Sequence, residues 1–135
     1  MATSYQDLPH VSLMNFTYLK EENLVILSSR EDTTKVRYMK KNREIALLLC
    51  RLEGSVDPPV SCTLYGTATV LHSDKELFYR EIHYRKHKDM SKFITGDNVS
   101  IITVHLKHAT LSDLEDRVYH WTEDSSLAKD PTSNI

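Results

Sequence analysis

The fold is set by a strand-to-helix transition in residues 24–35, which read LVILSSREDTTK. Four apolar residues end in two serines, a pattern that is typical of a buried strand stopping at a polar edge. A charged loop follows, in which Asp32 or Thr33 can cap a short helix over residues 34–42. The stretch therefore predicts a core strand whose last residues and following helix start lie at the surface.

Strand-like stretches on both sides of this transition outnumber the helical ones. Val60 to Leu71 is rich in β-branched residues, and Gly66 inside it indicates a bulge or a close backbone approach. A second helix is expected to start at Ser73, run to about residue 88 and bury Leu77, Phe78 and Ile82. The other predicted strands are 10–18, 44–53, 99–107 and 117–121. The order β-β-α-β-β-α-β-β predicts a mainly β protein, with an antiparallel sheet that curls around its own core.

Length and composition fit one ordinary globular domain. The 135 residues suggest a domain over 1–121 and a flexible polar tail over 122–135. With 17 Lys+Arg against 19 Asp+Glu, the net charge of −2 argues against dedicated binding to nucleic acid or to a membrane surface. Neither a membrane-spanning stretch nor a secretory leader is recognisable, so we expect a cytoplasmic protein.

The strongest chemical feature is a set of hydroxyls and cations around the predicted helix start. Ser28, Ser29 and Arg30 close the strand, and Thr33, Thr34 and Lys35 flank the helix start. Free N–H groups at a helix start bind anions, and the cations add full charge, so a phosphate suits the site. The alternative is a capped helix with solvated charges.

Other candidate sites have simpler explanations. His83 and His87 have the i, i+4 spacing of a metal pair, but cations surround them, and we expect a solvated helix face instead. The basic, aromatic stretch 79–88 could bind nucleic acid, although Glu81 interrupts it. No nucleophile elbow, phosphate-binding loop or dinucleotide fingerprint occurs, so a bound cofactor would have to supply any reactivity.

Several segments together resemble the pyridoxamine 5′-phosphate oxidase-like FMN-binding split barrels. That family combines an extended P-H-V-S-type strand, a strand ending in hydroxyl residues, a helix start with Thr-Lys and a strand with G-x-A. The matching segments here are LPHVS (8–12), VILSSR (25–30), TKVR (34–37), NR (42–43) and LYGTA (64–68). The resemblance extends over about residues 1–121.

The resemblance implies a six-stranded antiparallel split β-barrel with two or three short helices. It also implies a homodimer with two FMN molecules at its interface. By position, Arg30, Thr34 and Lys35 would hold the phosphate, with Ser28 and Ser29 nearby. The remaining expected contacts are the strand His10, Val11, Ser12 and Leu13 along the flavin ring, Ser61 toward the ring, and Trp121 toward the partner's flavin.

Two departures from the family pattern narrow the expected function. Residues 1–4 match only the tail of the family's first strand, so that strand is expected to be truncated. The segment RVYHW at 117–121 does not reproduce the oxidase's Arg/His-rich substrate motif. We therefore expect a general flavin-dependent oxidoreductase with a small-molecule substrate and no assignable catalytic side chain. The alternatives are a non-catalytic dimeric barrel that acts through a partner, or a different planar ligand such as heme or a deazaflavin.

Overall fold

The computed structural model describes residues 1–49 and 61–124, and the backbone of residues 128–129. Two short 3₁₀ segments, Lys20–Glu22 and Lys88–Phe93, accompany the regular elements. The strands and α-helices are β1 (Ala2–Tyr5), β2 (Leu8–Val11), β3 (Thr17–Leu19), β4 (Leu24–Arg30), α1 (Thr34–Lys41), β5 (Glu44–Leu49), β6 (Ser61–Val70), α2 (Lys75–Lys86), β7 (Val99–Ser112), β8 (Val118–Thr122) and β9 (Ala128–Lys129).

All strands belong to one antiparallel sheet. Its order is β2-β1-β5-β6-β7-β4-β3, and β8 and β9 extend it from the far half of β7. The long strand β7 changes partner along its length, because its first half pairs with β4 and its second half with β8. The expected mainly β, antiparallel architecture with a few short helices is confirmed.

The glycine of β6 marks an irregularity in the sheet, as the sequence predicts. The register between β6 and β7 shifts between Tyr65 and Gly66. A Cβ at Gly66 would overlap the carbonyl oxygen of His105 and lie 2.7 Å from Val104 Cγ1. Only glycine lets the two backbones approach this closely.

The sheet curves because its strands share one core. Val25, Leu27, Ile45, Ala68 and Val104, from four strands, are all buried in this cluster. The apolar stripe of α1 joins it, because Val36 and Met39 are both buried. A second, smaller cluster lies where α2 packs against the other face of β4, around Ile26 and Tyr79.

The prediction of one strand over residues 10–18 is wrong. The chain forms β2, loses regular pairing over residues 12–16 and resumes as β3. Residues 5–8 form a tight turn, with positive φ at Gln6 (49°) and Asp7 (61°). As a result β1 and β2 form a hairpin, and β3 pairs separately with β4. The strand predicted over 99–107 is longer than expected, since β7 continues to Ser112 against β8.

The buried face predicted for α2 is correct at Ile82, which packs against the second cluster, and wrong at Leu77 and Phe78. Leu77 and Phe78 are 72% and 56% exposed, whereas Tyr79 and His83 are buried. Polar partners explain the inversion: Tyr79 Oη donates to Glu22, and His83 bonds Thr17. Part of the predicted strand 44–53, the turn after it and most of the predicted tail lie outside the described residues.

Candidate functional site

A cavity of about 320 Å³ opens at the end of β4. It lies between the start of α1, the irregular segment after β2, and α2 with the 3₁₀ turn that follows it. The lining residues are Leu13, Met14, Asn15, Ser28, Ser29, Arg30, Thr33, Lys35, His83, Met90, Phe93 and Ile94. One wall is therefore polar and cationic, and the opposite wall is mostly apolar.

The polar wall leaves the start of α1 open to an anion. The N-cap residue Thr33 makes no capping bond to the helix, because its hydroxyl donates to the carbonyl of Arg30 at 2.9 Å. Ser29 Oγ lies 3.1 Å from the same hydroxyl and holds it in this position. The first turn of α1 contains no acidic residue. Its N–H groups and the positive end of the helix dipole are thus available to a ligand.

The two cations of this wall differ in how they are compensated. Arg30 forms an exposed ion pair with Asp32, with Nε–Oδ1 at 3.1 Å. Lys35 is half-buried and pairs with no carboxylate among the described residues. Burial lowers the pKa of Lys35, and repulsion from Arg30 lowers it further. An anion in the cavity would relieve both effects, so the cavity is electrostatically suited to one.

The wall formed by α2 carries a buried histidine instead of the expected solvated pair. His83 is 1% exposed, and its Nδ1 lies 2.8 Å from the hydroxyl of Thr17. His87 packs edge-on against it with ring centroids 4.8 Å apart, and its Nε2 donates to the carbonyl of Phe16 at 2.8 Å. Burial, followed by the positive influence of His87 and Lys86, lowers the pKa of His83 to about 4. The imidazole is therefore neutral at physiological pH.

The cavity brings together five of the residues that the family resemblance implies as FMN contacts. These are Leu13, Ser28, Ser29, Arg30 and Lys35. Thr34 lies beside them at the helix start, where its hydroxyl accepts from Arg37 at 3.2 Å.

The β2 residues of the predicted flavin strand divide between two faces. His10 contacts the ring of Tyr38 on α1. Its Nδ1 is buried without a hydrogen-bond partner among the described residues, and so is Oγ of Ser12. Val11 points the other way and is 77% exposed. Within one chain these three residues do not line the cavity.

Ser61 and Trp121 lie at the opposite end of the sheet. Ser61 begins β6, whose last residue pairs beside the cavity, so about 30 Å of extended strand separates them. Trp121 pairs with Ala109 on β7. It lines a second cavity of about 270 Å³, together with Phe16, Tyr18, Asn23, Val25, Leu49, Leu64, Leu106 and Ala109. Only a second copy of the chain could bring these two residues to the first cavity.

The sequence prediction missed half of the cavity lining. Met14 and Asn15 follow β2, and Met90, Phe93 and Ile94 lie in or beside the 3₁₀ turn after α2, and no sequence pattern indicated that these residues line a site. Thr33 was recognised as a helix cap and as part of the hydroxyl-rich helix start, but not as a cofactor contact. His83 had a usable signal, because it lies four residues after Tyr79 and so shares its helix face.

Two of the four Lys and Arg side chains of α2 are engaged within the protein. Arg80 donates to Glu76 and to the carbonyls of Ile94 and Val99, and Arg85 pairs with Glu81 at 2.8 Å. In the described part of the chain, no three His, Cys, Asp or Glu side chains are grouped as metal ligands. None of the helices described has the length and apolar character that crossing a membrane requires.

Comparison with known proteins gives relatives in sequence and in fold. No protein-family model matches the chain. A Schizosaccharomyces pombe protein named as a pyridoxamine 5′-phosphate oxidase homolog is 29% identical, over 84% of this chain and 77% of the relative.

Two solved structures show the same fold at low identity. A heme binding protein from Mycobacterium smegmatis is 16% identical with a TM-score of 0.75, over 90% of this chain and 50% of that one. This chain thus spans about half the length of that protein. A pyridoxamine 5′-phosphate oxidase-related, FMN binding protein from Nostoc punctiforme is 11% identical with a TM-score of 0.62, over 96% of this chain and 83% of that one. The predicted resemblance to the pyridoxamine 5′-phosphate oxidase-like split barrels is therefore confirmed, in sequence by the yeast relative and in fold by the solved structures.

Proposed function

We propose that this protein binds FMN in the cavity at the end of β4 and acts as a flavin-dependent oxidoreductase. The observation that carries the proposal is the uncompensated Lys35 beside the uncapped, carboxylate-free start of α1. A phosphate monoester suits this arrangement, because helix N–H groups and a lysine both bind it. The name of the Nostoc protein supports a flavin as the phosphorylated group.

The cavity meets the needs of the cofactor at each end. Lys35, Ser29 and the first turn of α1 would hold the phosphate, and Leu13 and Phe93 offer an apolar surface to the ring. When bound, FMN would supply transfer of a hydride or of electrons to a small-molecule substrate. The role of the protein is to bind the cofactor, orient it and leave one face of the ring accessible.

We propose that the protein forms a homodimer with its interface beside this cavity. Leu8, Val11 and Leu13 are 58%, 77% and 93% exposed and lie together in sequence beside the cavity. Apolar side chains grouped in this way are typical of an interface. Ser61 and Trp121, remote within one chain, would come to the cavity from the partner of a homodimer.

Dimerisation is tested with a charge on the exposed face of β2. Val11→Glu should convert a dimer to a monomer in sedimentation velocity, because the carboxylate would be buried unpaired at the interface. Leu114, 74% exposed in the turn between β7 and β8, provides the control, and Leu114→Glu should leave the dimer intact. A monomeric parent protein, or equal effects of the two changes, would contradict the proposed interface.

Cofactor binding is tested with two lysines of the same helix. Lys35→Ala should weaken FMN binding by about 10- to 100-fold in a fluorescence titration, the loss of one charge-assisted bond of about 1.5–3 kcal/mol. Lys41 is exposed at the other end of α1, so Lys41→Ala should bind FMN as the parent does. If the parent binds FMN but neither change affects the affinity, the phosphate lies elsewhere.

Heme is a second candidate ligand, favoured by the name of the Mycobacterium structure. Its propionates are anions and would meet the same cations. Absorption spectra and mass spectrometry of the ligand released from freshly purified protein separate the two candidates, because flavin and porphyrin differ in both. A protein that binds neither would instead favour a non-catalytic dimer acting through a partner.

A further inference from the structure

Among the described residues that line the cavity, His83 is a titratable side chain that the phosphate site does not use. It is 1% exposed yet lines the cavity, and it comes from α2, whereas Lys35 comes from α1. Its Nδ1 is bonded to Thr17, and the hydrogen bonds seen among the described residues include none to its Nε2. A buried ring with one free nitrogen at a cavity wall is suited to a ligand atom.

The partner of Nδ1 decides which nitrogen carries the proton. Thr17 is buried, and its hydroxyl has His83 as its sole hydrogen-bond partner in the described structure. If Nδ1 donated to it, the hydroxyl proton would remain buried without an acceptor, at a cost of about 1–3 kcal/mol. The hydroxyl therefore donates to Nδ1, and the ring proton of the neutral imidazole resides on Nε2.

The surroundings hold the ring in this state. His87 donates through Nε2 to the carbonyl of Phe16, which fixes its ring edge-on against His83. Lys86 lies over the ring of Phe16, 5.3 Å from its centroid, and adds positive charge. Both neighbours oppose a second proton on His83, so the ring stays a neutral donor with a fixed orientation.

We propose that His83 contacts the bound cofactor, with Nε2–H donating a hydrogen bond to an acceptor atom of the flavin ring system. The inference rests on the proposed binding of FMN in this cavity. It divides recognition between two ends of the ligand, with Lys35 and the start of α1 at the phosphate and His83 at the ring. A neutral donor orients the ring without adding charge, unlike a lysine or arginine at the same place.

The protonation and the contact are both visible by NMR of ¹⁵N-histidine-labelled protein. In the free protein, the His83 signals should be those of the neutral ring protonated at Nε2. Saturation with FMN should shift the Nε2 signal, while that of Nδ1, still bonded to Thr17, moves little. A free ring protonated at Nδ1, or an Nε2 signal that FMN leaves unchanged, would overturn the proposal.

Two variants measure what the donor contributes. His83→Gln keeps an N–H donor at similar reach and should bind FMN within a few-fold of the parent. His83→Leu removes the donor and should bind FMN about tenfold more weakly, the size of one ordinary hydrogen bond. Competition by inorganic phosphate should be the same in both variants, because His83 is not part of the phosphate site.

The outcomes separate this inference from the function on which it rests. If the parent binds no FMN, both proposals fail together. If FMN binds and Lys35→Ala weakens it, but the His83 variants bind equally well, only the role of His83 fails. A cooperative thermal unfolding transition in both His83 variants would show that the affinities being compared are those of folded proteins.

Discussion

Acidification should destabilise this protein through His83 in particular. The folded-state pKa of His83 is lowered to about 4, by burial first and then by His87 and Lys86. In the unfolded chain a histidine titrates near 6.5. Between these two values the unfolded chain binds a proton that the folded protein does not, so the free energy of unfolding falls as the pH falls. Above pH 6.5 the contribution is fully present, and below about pH 4 the loss is complete.

The size of the effect follows from the two pKa values. Lowering the pKa from 6.5 to about 4 corresponds to about 3 kcal/mol of unfolding free energy in total, of which about 2 kcal/mol is lost by pH 5. Urea unfolding at pH 7.5 and pH 5 measures this loss. The variant His83→Gln cannot bind the proton, so its free energy of unfolding should fall by about 2 kcal/mol less than that of the parent. Carboxylates titrate alike in both proteins and cancel in the difference.

A second histidine provides the matched control. His72 is exposed in the loop before α2, and His72→Gln should keep the pH dependence of the parent protein. The reasoning is refuted if His83→Gln loses as much stability between pH 7.5 and pH 5 as the parent does. In that case His83 would accept its proton in the folded state, and it could not be a neutral donor in the cavity.

Three further changes test individual contacts. Gly66→Ala should lower the free energy of unfolding by more than about 2 kcal/mol in urea titrations, because its Cβ would overlap the backbone of β7. Asn23 has a φ of 52° and donates to the carbonyl of Leu106 at 3.0 Å, so Asn23→Ala should cost about 1–2 kcal/mol and Asn23→Gly less, since glycine tolerates that φ. The bond to Glu22 raises the pKa of Tyr79 to about 12, so Glu22→Gln should return it toward 10 in NMR titrations.

The sequence was sufficient for the fold class and for half of the site. The end of β4, the start of α1 and the bulge at Gly66 were predictable because each depends on residues that are adjacent in the sequence. The break between β2 and β3 was not predictable, because alternation in residues 10–18 continues where strand pairing does not. Pairing depends on which distant strand is available, and period alone does not contain that information.

The error on α2 has a related cause. Hydrophobicity favoured Leu77 and Phe78 as the buried face of α2, but both are exposed. Hydrogen-bond partners, not hydrophobicity, determine which face of the helix is buried. Tyr79 and His83 are buried because Glu22 and Thr17, far away in sequence, accept or donate their hydrogen bonds. A buried polar group is stable only with such a partner, so its burial cannot be inferred before the tertiary contacts are known.

The position of the cavity follows from the alternation along β4. Val25 and Leu27 face the main core, whereas Ile26 packs under α2 on the other face. The next residue on the α2 face is Ser28, which is too small and polar to continue that packing, and the cavity opens there. The step from Ile26 to Ser28 thus ends the contact between β4 and α2 and exposes His83 to a ligand. Because the same strand supports both core and site, Ser28→Ile would extend the packing at the expense of the cavity.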